Sequence, residues 1–282
     1  MNFEEKISQL EKKIIELSQP PMDIPHSRVE MKNTICEKHG EYEQRTRLST
    51  GPVRIPAAPS QCPECLQEKL SSLQRQRDRA GEEARRRTIE RLKEDLQIPE
   101  RFSGCTFENY IPECDDAKRA LKVCQAYASK WPDRLQRGGG LVMCGKPGTG
   151  KNHLALAIAK SVIESHQSPA AFTTALKIAR EYKSTWSKSS SLTEDDVIQQ
   201  FTRPDLLIID EIGVQFGSEA EKLIMFEIIN TRYERMRPTI LISNQSKDEL
   251  SAFIGERVID RMNDGGGCTL AFTWDSYRSK AA

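Results

Sequence analysis

The chain has 282 residues, with 37% hydrophobic and 29% charged side chains and a formal net charge of +1. That length suits one sizeable core of ~150–200 residues plus an accessory region, and the near-neutral balance excludes a globally basic nucleic-acid binder. No uninterrupted apolar run approaches the ~18 residues of a membrane span, and the charged start MNFEEKISQLEKKIIELSQ is no signal peptide, so the expectation is a cytoplasmic protein with no membrane partner.

Phe3, Ile7, Leu10, Ile14 and Leu17 step by 4, 3, 4 and 3. This is the heptad seam of an amphipathic helix, placed within residues 1–20. Two heptads do not hold a helix alone. The seam packs on this chain or on a partner helix, and the pattern does not distinguish the two. Pro20, Pro21 and Pro25 end the helix.

Residues 21–66 carry Cys36-x2-His39 and, after 22 intervening residues, Cys62-x2-Cys65. Two tight pairs of soft or borderline ligands make a closed tetrahedral site for Zn2+, and four protein ligands make that zinc structural. A segment this short builds no core of its own, so metal binding supplies its folding energy. Cys105, Cys114, Cys124, Cys144 and Cys268 show no ligand spacing and read as small, partly buried residues. Within the module, STGPVRIPAAPS is a loop by composition. Residues 67–97 read as a long polar helix, interrupted or frayed at Gly81 and closed by Pro99. From Lys69 to Lys93, nine Lys/Arg against four Asp/Glu give +5, so any nucleic-acid contact is local.

From residue 98 to 282 short apolar strands alternate with helices, the pattern of a mostly parallel α/β sheet covered on both faces. GLVMC, AAFTT, DLLIID, PTILISN and CTLAFTW read as strands. KNHLALAIAKSVIES, ALKIAREYKSTW, TEDDVIQQF, EKLIMFEIINTRYERM and KDELSAFIGERVIDRM read as helices.

Between the first strand and its helix lies Gly145-Lys146-Pro147-Gly148-Thr149-Gly150-Lys151, followed by Asn152 and His153. Glycines let backbone N–H groups approach phosphates, the helix N-terminus adds partial positive charge, and Lys151 reaches the β- and γ-phosphates of ATP. Leu206 to Ile209 deliver Asp210 and Glu211 to the C-terminal edge of the sheet, where ligands bind in open α/β sheets. Asp210 holds Mg2+ in this reading and Glu211 polarises the attacking water as general base. Asn244, at the end of TILISN, is placed to order that water. Arg257 and Arg261 lie i, i+4 on one helix face.

Asp210-Glu211, Asn244 and the late Arg pair resemble the Walker B motif, sensor 1 and arginine finger of AAA+ P-loop ATPases. GKPGTGKNHLA, IPERFSGCTFENY, LLIIDEIGVQ and the tail GERVIDRMNDGGG…FTWDSYRSK resemble the DnaC-type replicative helicase loaders over Ile98 to Lys280. The resemblance implies an ATP-dependent loader that binds the replicative DNA helicase and places it on single-stranded DNA, self-associating through its ATPase domain when ATP-bound. It implies Arg261 as the finger acting on a neighbour's nucleotide, with Arg257 second, and Arg278 as a sensor 2 arginine acting in cis. Asn152 is then a family variant of the usual Ser or Thr. An amide oxygen coordinates Mg2+ or its water less readily than a hydroxyl, so slow turnover is expected.

The segment after the second strand falls where initiators and loaders carry a helix that touches single-stranded DNA. Lys177, Arg180, Lys183, Trp186 and Lys188 offer cations beside an aromatic. A solvated helix with Trp186 on its apolar face reads equally well. The zinc module departs from the plain loader pattern and leaves open whether residues 1–97 grip helicase, DNA or both. Two other functions fit parts of the pattern: a transposition-associated ATPase assembling on duplex DNA, and a zinc-dependent nucleic-acid-binding adaptor.

Overall fold

The computed structural model describes residues 2–51, 57–187, 189–213 and 219–277. The chain divides into two compact units, Met1–Arg86 and Arg87–Ala282. Among the described residues no helix is long and apolar enough to cross a membrane.

In the first unit, helix α1 (Phe3–Ser18) starts at a capping box in which Asn2 and Glu5 satisfy each other's backbone N–H groups. Ile7 and Leu10 of the heptad seam are buried, while Phe3 and Ile15 are exposed. Strands β1 (Ser27–Cys36) and β2 (Gly40–Ser49) follow as an antiparallel hairpin, paired from Ser27↔Ser49 to Cys36↔Gly40. No strand was expected there. The hairpin buries neither face fully, so it lacks the apolar–polar alternation by which a strand is recognised. Helix α2 (Pro63–Asp95) is one continuous helix of 33 residues through Gly81. The expected interruption is absent, because a single glycine costs a helix only about 1 kcal/mol. The division between the units falls within this helix.

The second unit contains α3 (Asp115–Ser129), α4 (Trp131–Arg137), β3 (Leu141–Gly145), α5 (Lys151–His166), β4 (Ala170–Thr174) and α6 (Ala175–Ser184). It continues through α7 (Glu194–Thr202), β5 (Leu206–Asp210), α8 (Glu219–Glu234), β6 (Thr239–Ile242), α9 (Lys247–Ile254), α10 (Glu256–Asn263) and β7 (Cys268–Phe272). The five strands form a parallel sheet in the order β4-β5-β6-β3-β7. Along β3, β5 and β6 successive residues enter opposite cores. Leu141, Met143 and Ile208 pack in one cluster with α3 and α5 residues such as Tyr127, Leu154 and Ile158. Val142, Cys144, Leu207 and Ile209 pack in the other with Ile178, Ile228 and Val258.

Helices α3 and α4 lie in a stretch where the sequence reading placed no element. The single helix expected over residues 247–262 is two, because Gly255 takes φ +95° between α9 and α10. The fully buried Arg232 donates to the carbonyls of Phe201, Pro204, Asp205 and Pro238 and to Thr239 Oγ1. It ties the entries of β5 and β6 together, and burial pushes its pKa down to about 9.

Candidate functional site

The parallel sheet ends its strands at one edge, and there the chain turns Gly145–Gly150 into α5, Asp210 into Glu211, and Ile242 into Ser243-Asn244. Ser243 accounts for part of that convergence. Its N–H donates to the Met143 carbonyl and its hydroxyl to the Ile212 carbonyl, joining the ends of β3, β5 and β6. A cleft of about 600 Å3 opens between these turns, a size suited to a nucleotide-scale ligand. Pro147 to His153, Asp210, Glu211 and Asn244 all line it. Residues far apart in sequence are thus brought to one place, as the motif order required.

Lys151 is nearly buried, and its ammonium donates to the carbonyls of Gly145 (2.8 Å) and Lys146 (2.6 Å). Asn152 Nδ2 donates to Asp210 Oδ2 at 2.5 Å, so the residue in the usual hydroxyl position is bonded directly to the acidic strand end. Burial pushes the Asp210 carboxyl above the usual carboxylate range, and the Asn152 donor, the Glu211 N–H and the Lys151 charge oppose that shift. Glu211 has φ +60°, the left-handed region, and its N–H donates to Asp210 Oδ1 at 2.7 Å. A bulky residue held there turns its side chain away from the path of the strand, a strain typical of functional sites. His153 Nε2 lies 2.7 Å from the Thr106 carbonyl, which fixes its protonated nitrogen.

Several cleft residues were given no site role by the sequence reading. Tyr110 donates to the Thr149 carbonyl at 3.3 Å and stands edge-on to His153, with ring centroids 5.3 Å apart. Arg101, Phe102 and Ile111 line the same side. The tail after β7 folds back over the loop. Tyr277 N–H donates to the Gly148 carbonyl at 3.0 Å, and Lys146 pairs with Asp275 at 3.3 Å. Gly148 has φ +75°, and a Cβ there would overlap Ser276, so the tail fits only against glycine. Arg278 lies outside the described residues.

Arg257 and Arg261 both lie on α10, Arg257 exposed and Arg261 half-buried against α8. Arg261 donates to Asn230 Oδ1 and covers the rings of Phe226 and Tyr233. Among the residues proposed for DNA, Lys183 pairs with Glu221 at 2.6 Å, and the Trp186 indole N–H donates to Glu194 at 2.6 Å. The Trp186 ring stays exposed beside Tyr182, which also donates to Glu194. Lys177 bonds Gln97 Oε1, and Lys188 lies outside the described residues.

A second site lies in the first unit. The turn from β1 to β2 presents Cys36 and His39, and the start of α2 presents Cys62 and Cys65. Their four ligand atoms all lie within 4.8 Å of one another. Tetrahedral Zn2+ with ordinary bond lengths needs S···S and S···N separations of about 3.8 and 3.6 Å. The cluster has Cys36–Cys65 at 3.5 Å, Cys36–His39 at 3.7 Å, Cys62–His39 at 3.6 Å and Cys65–His39 at 3.3 Å. The donor set fits zinc. The backbone N–H groups of Lys38 and His39 point at Cys36 and lower its thiol to about 6, which favours the thiolate a metal needs. His39 presents Nδ1 to the sulfurs and Nε2 to Glu68 at 3.3 Å, the carboxylate support usual behind a metal-bound imidazole. Glu68 was not foreseen, although it stands one helical turn beyond Glu64 and the Cys pair.

Residues 55–280 match the family of IstB-like ATP binding proteins. The chain is 38% identical to the replicative helicase loader DnaC of Escherichia coli K12 over 177 residues, 63% of this chain and 70% of that protein. It is likewise 38% identical to DnaC of Buchnera aphidicola from Acyrthosiphon pisum over 181 residues, 64% of this chain and 72% of that protein. Among solved structures, a crystal structure of the DnaC helicase loader superposes with a TM-score of 0.55 at 21% identity, covering 62% of this chain and 99% of that one.

Proposed function

The chain belongs to the IstB-like ATP-binding family, with the AAA+ fold of the DnaC loaders, and from that premise we propose that it binds the replicative DNA helicase and places it on single-stranded DNA. The observation that carries the proposal is the meeting of Lys151, Asn152, Asp210, Glu211 and Asn244 at one cleft in a chain this similar to named loaders. Lys151 exchanges its carbonyl partners for the phosphates of ATP. Glu211 accepts a proton from the attacking water, which Asn244 orients. Asp210 and the Asn152 amide oxygen would hold Mg2+, which lowers the charge of the phosphates when bound. Hydrolysis is slow, because a neutral amide is a weaker metal ligand than the usual hydroxyl. It times release from the helicase rather than driving a motor.

Arg261 acts on the ATP of a neighbouring copy, and Arg257 is the alternative. Zn2+ at Cys36, His39, Cys62 and Cys65 holds the first unit together. The exposed Trp186 ring serves single-stranded DNA by stacking. Lys183 contributes less than expected, since its charge is already paired. The protein works in the cytoplasm.

The test is co-purification with the cognate replicative helicase, with and without ATP. ATP-dependent retention is expected, and Glu211→Gln should make it persistent by blocking hydrolysis while sparing ATP binding. No retention under either condition refutes the loader reading.

A further inference from the structure

The groups that touch Arg261 are uncharged. Its Nη1 donates to Asn230 Oδ1, and its guanidinium carbon stands 5.9 Å from the centroid of the Phe226 ring and 5.2 Å from that of Tyr233. Among the described residues no carboxylate lies within ion-pair distance of it, in contrast to Arg237 with Asp205 and Lys183 with Glu221 in the same unit. Two of the acids at this cradle are engaged by other donors, and Asp260 acts with Asp264 on the Tyr233 hydroxyl rather than pairing with the guanidinium. Glu234 accepts from Asn230 Nδ2 at 2.8 Å, and Asp264 accepts from the Tyr233 hydroxyl at 2.9 Å. The Glu234 contact also fixes the amide. A carboxylate only accepts, so Nδ2 must face Glu234, and Oδ1 is the end left for Arg261. On the same helix Leu223 is 66% and Phe226 37% exposed, so the ridge beside the guanidinium is open to an approaching molecule.

We propose that Asn230 is the positioning residue for Arg261: its amide oxygen aims the guanidinium without neutralising it, keeping the charge available to the phosphoryl group of a second copy's nucleotide. The inference rests on the reading of Arg261 as an arginine acting in trans. A carboxylate at position 230 would aim the same group and cancel it. The ring faces attract a cation but carry no net charge, so they leave it intact. Arg suits the arrangement because it stays charged while one edge of its planar fork is engaged.

The experiment uses the full chain with the cognate replicative helicase and compares Arg261→Ala, Asn230→Ala and Asn230→Asp. The readouts are kcat in the assembly, ATP affinity of the dilute chain, and melting temperature. A guanidinium supplied in trans contributes orders of magnitude to kcat, so Asn230→Asp should lose at least ~30-fold and approach Arg261→Ala, while Asn230→Ala loses only ~3- to 10-fold. ATP affinity should hold within about twofold and the melting temperature within about 3 °C for Asn230→Asp. Asn230→Asp turning over at the wild-type rate while Arg261→Ala is impaired overturns the positioning role. Equal losses in both Asn230 variants with a collapsed melting temperature also overturn it, in favour of plain packing. Arg261→Ala at the full rate refutes the trans reading instead, and the inference falls with it.

Discussion

At the scale of single residues the nucleotide cleft is governed by what stands next to Asp210. Its carboxyl is already raised by burial and is held by the Asn152 amide at 2.5 Å. Asn152→Asp would set two carboxylates against each other, one of which must take up a proton. ATP affinity in the presence of Mg2+ should fall by about tenfold or more, one pKa unit being worth a factor of ten. Asn152→Thr restores the common hydroxyl and should keep binding within about threefold, since a threonine oxygen is an ordinary ligand at this position. Titration with a fluorescent ATP analogue reads both, and an Asn152→Asp protein that binds like wild type removes the metal-ligand role of this pair. Lys151, Asp210 and Glu211 were legible in the sequence because residue type, order and strand context agree. Tyr110 and the tail residues Asp275 and Tyr277 were not, since they meet the loop only through long-range folding. The pairing of Lys183 with Glu221 and of Trp186 with Glu194 was equally hidden, because a cation beside an aromatic looks the same whether or not an acid reaches it.

At the scale of elements the hairpin and the start of α2 depend on each other through four ligands. The hairpin has two strands and no fully buried face, so by itself it is marginal. Cys62→Ser with Cys65→Ser, or a strong chelator, should therefore release one Zn2+ per chain and expose the β1–β2 amides to hydrogen exchange. Metal analysis finding no zinc in the wild-type protein would end this reading. Helix α2 supplies a second check. Gly81 lies within its continuous run, and a Cβ there meets nothing within 4 Å. Gly81→Ala should stabilise the helix by about 0.5–1 kcal/mol, seen as slower amide exchange around it. A loss of protection would mean that the glycine serves a bend. Strands of the parallel sheet were readable from short apolar runs. The hairpin, α3 and α4 were not, and α9 and α10 were merged because only Gly255 marks the break.

At the scale of the whole molecule, chemistry and metal are kept apart in sequence. Every residue lining the nucleotide cleft lies between Arg101 and Tyr277, and all four candidate zinc ligands lie between Cys36 and Cys65. The chain divides at Arg86–Arg87, between these two sets. The zinc-free double Cys→Ser protein should then bind ATP within about twofold of wild type, because each site is built within its own unit and sites without shared partners act additively. The same protein should fail to co-purify with helicase if the first unit provides the grip. ATP binding lost together with zinc would show that the units fold as one.

The two ends of α10 are unlike. At Gly255 an added Cβ would meet empty space, whereas Gly265 is wedged against the Arg137 carbonyl at the end of α4, and Gly267 against Met262 and Gly140. If this helix tilts, its C-terminal end is the better-held one and would serve as the fulcrum. With a rise of ~1.5 Å per residue, Arg261 lies ~5 Å from the fulcrum at Asp264 and Arg257 lies ~10 Å away. The same small rotation displaces Arg257 about twice as far. In such a tilt Arg261 would nearly keep its aim while Arg257 swept, so the arginine nearer the pivot is the one better able to hold a fixed bearing on a neighbouring molecule.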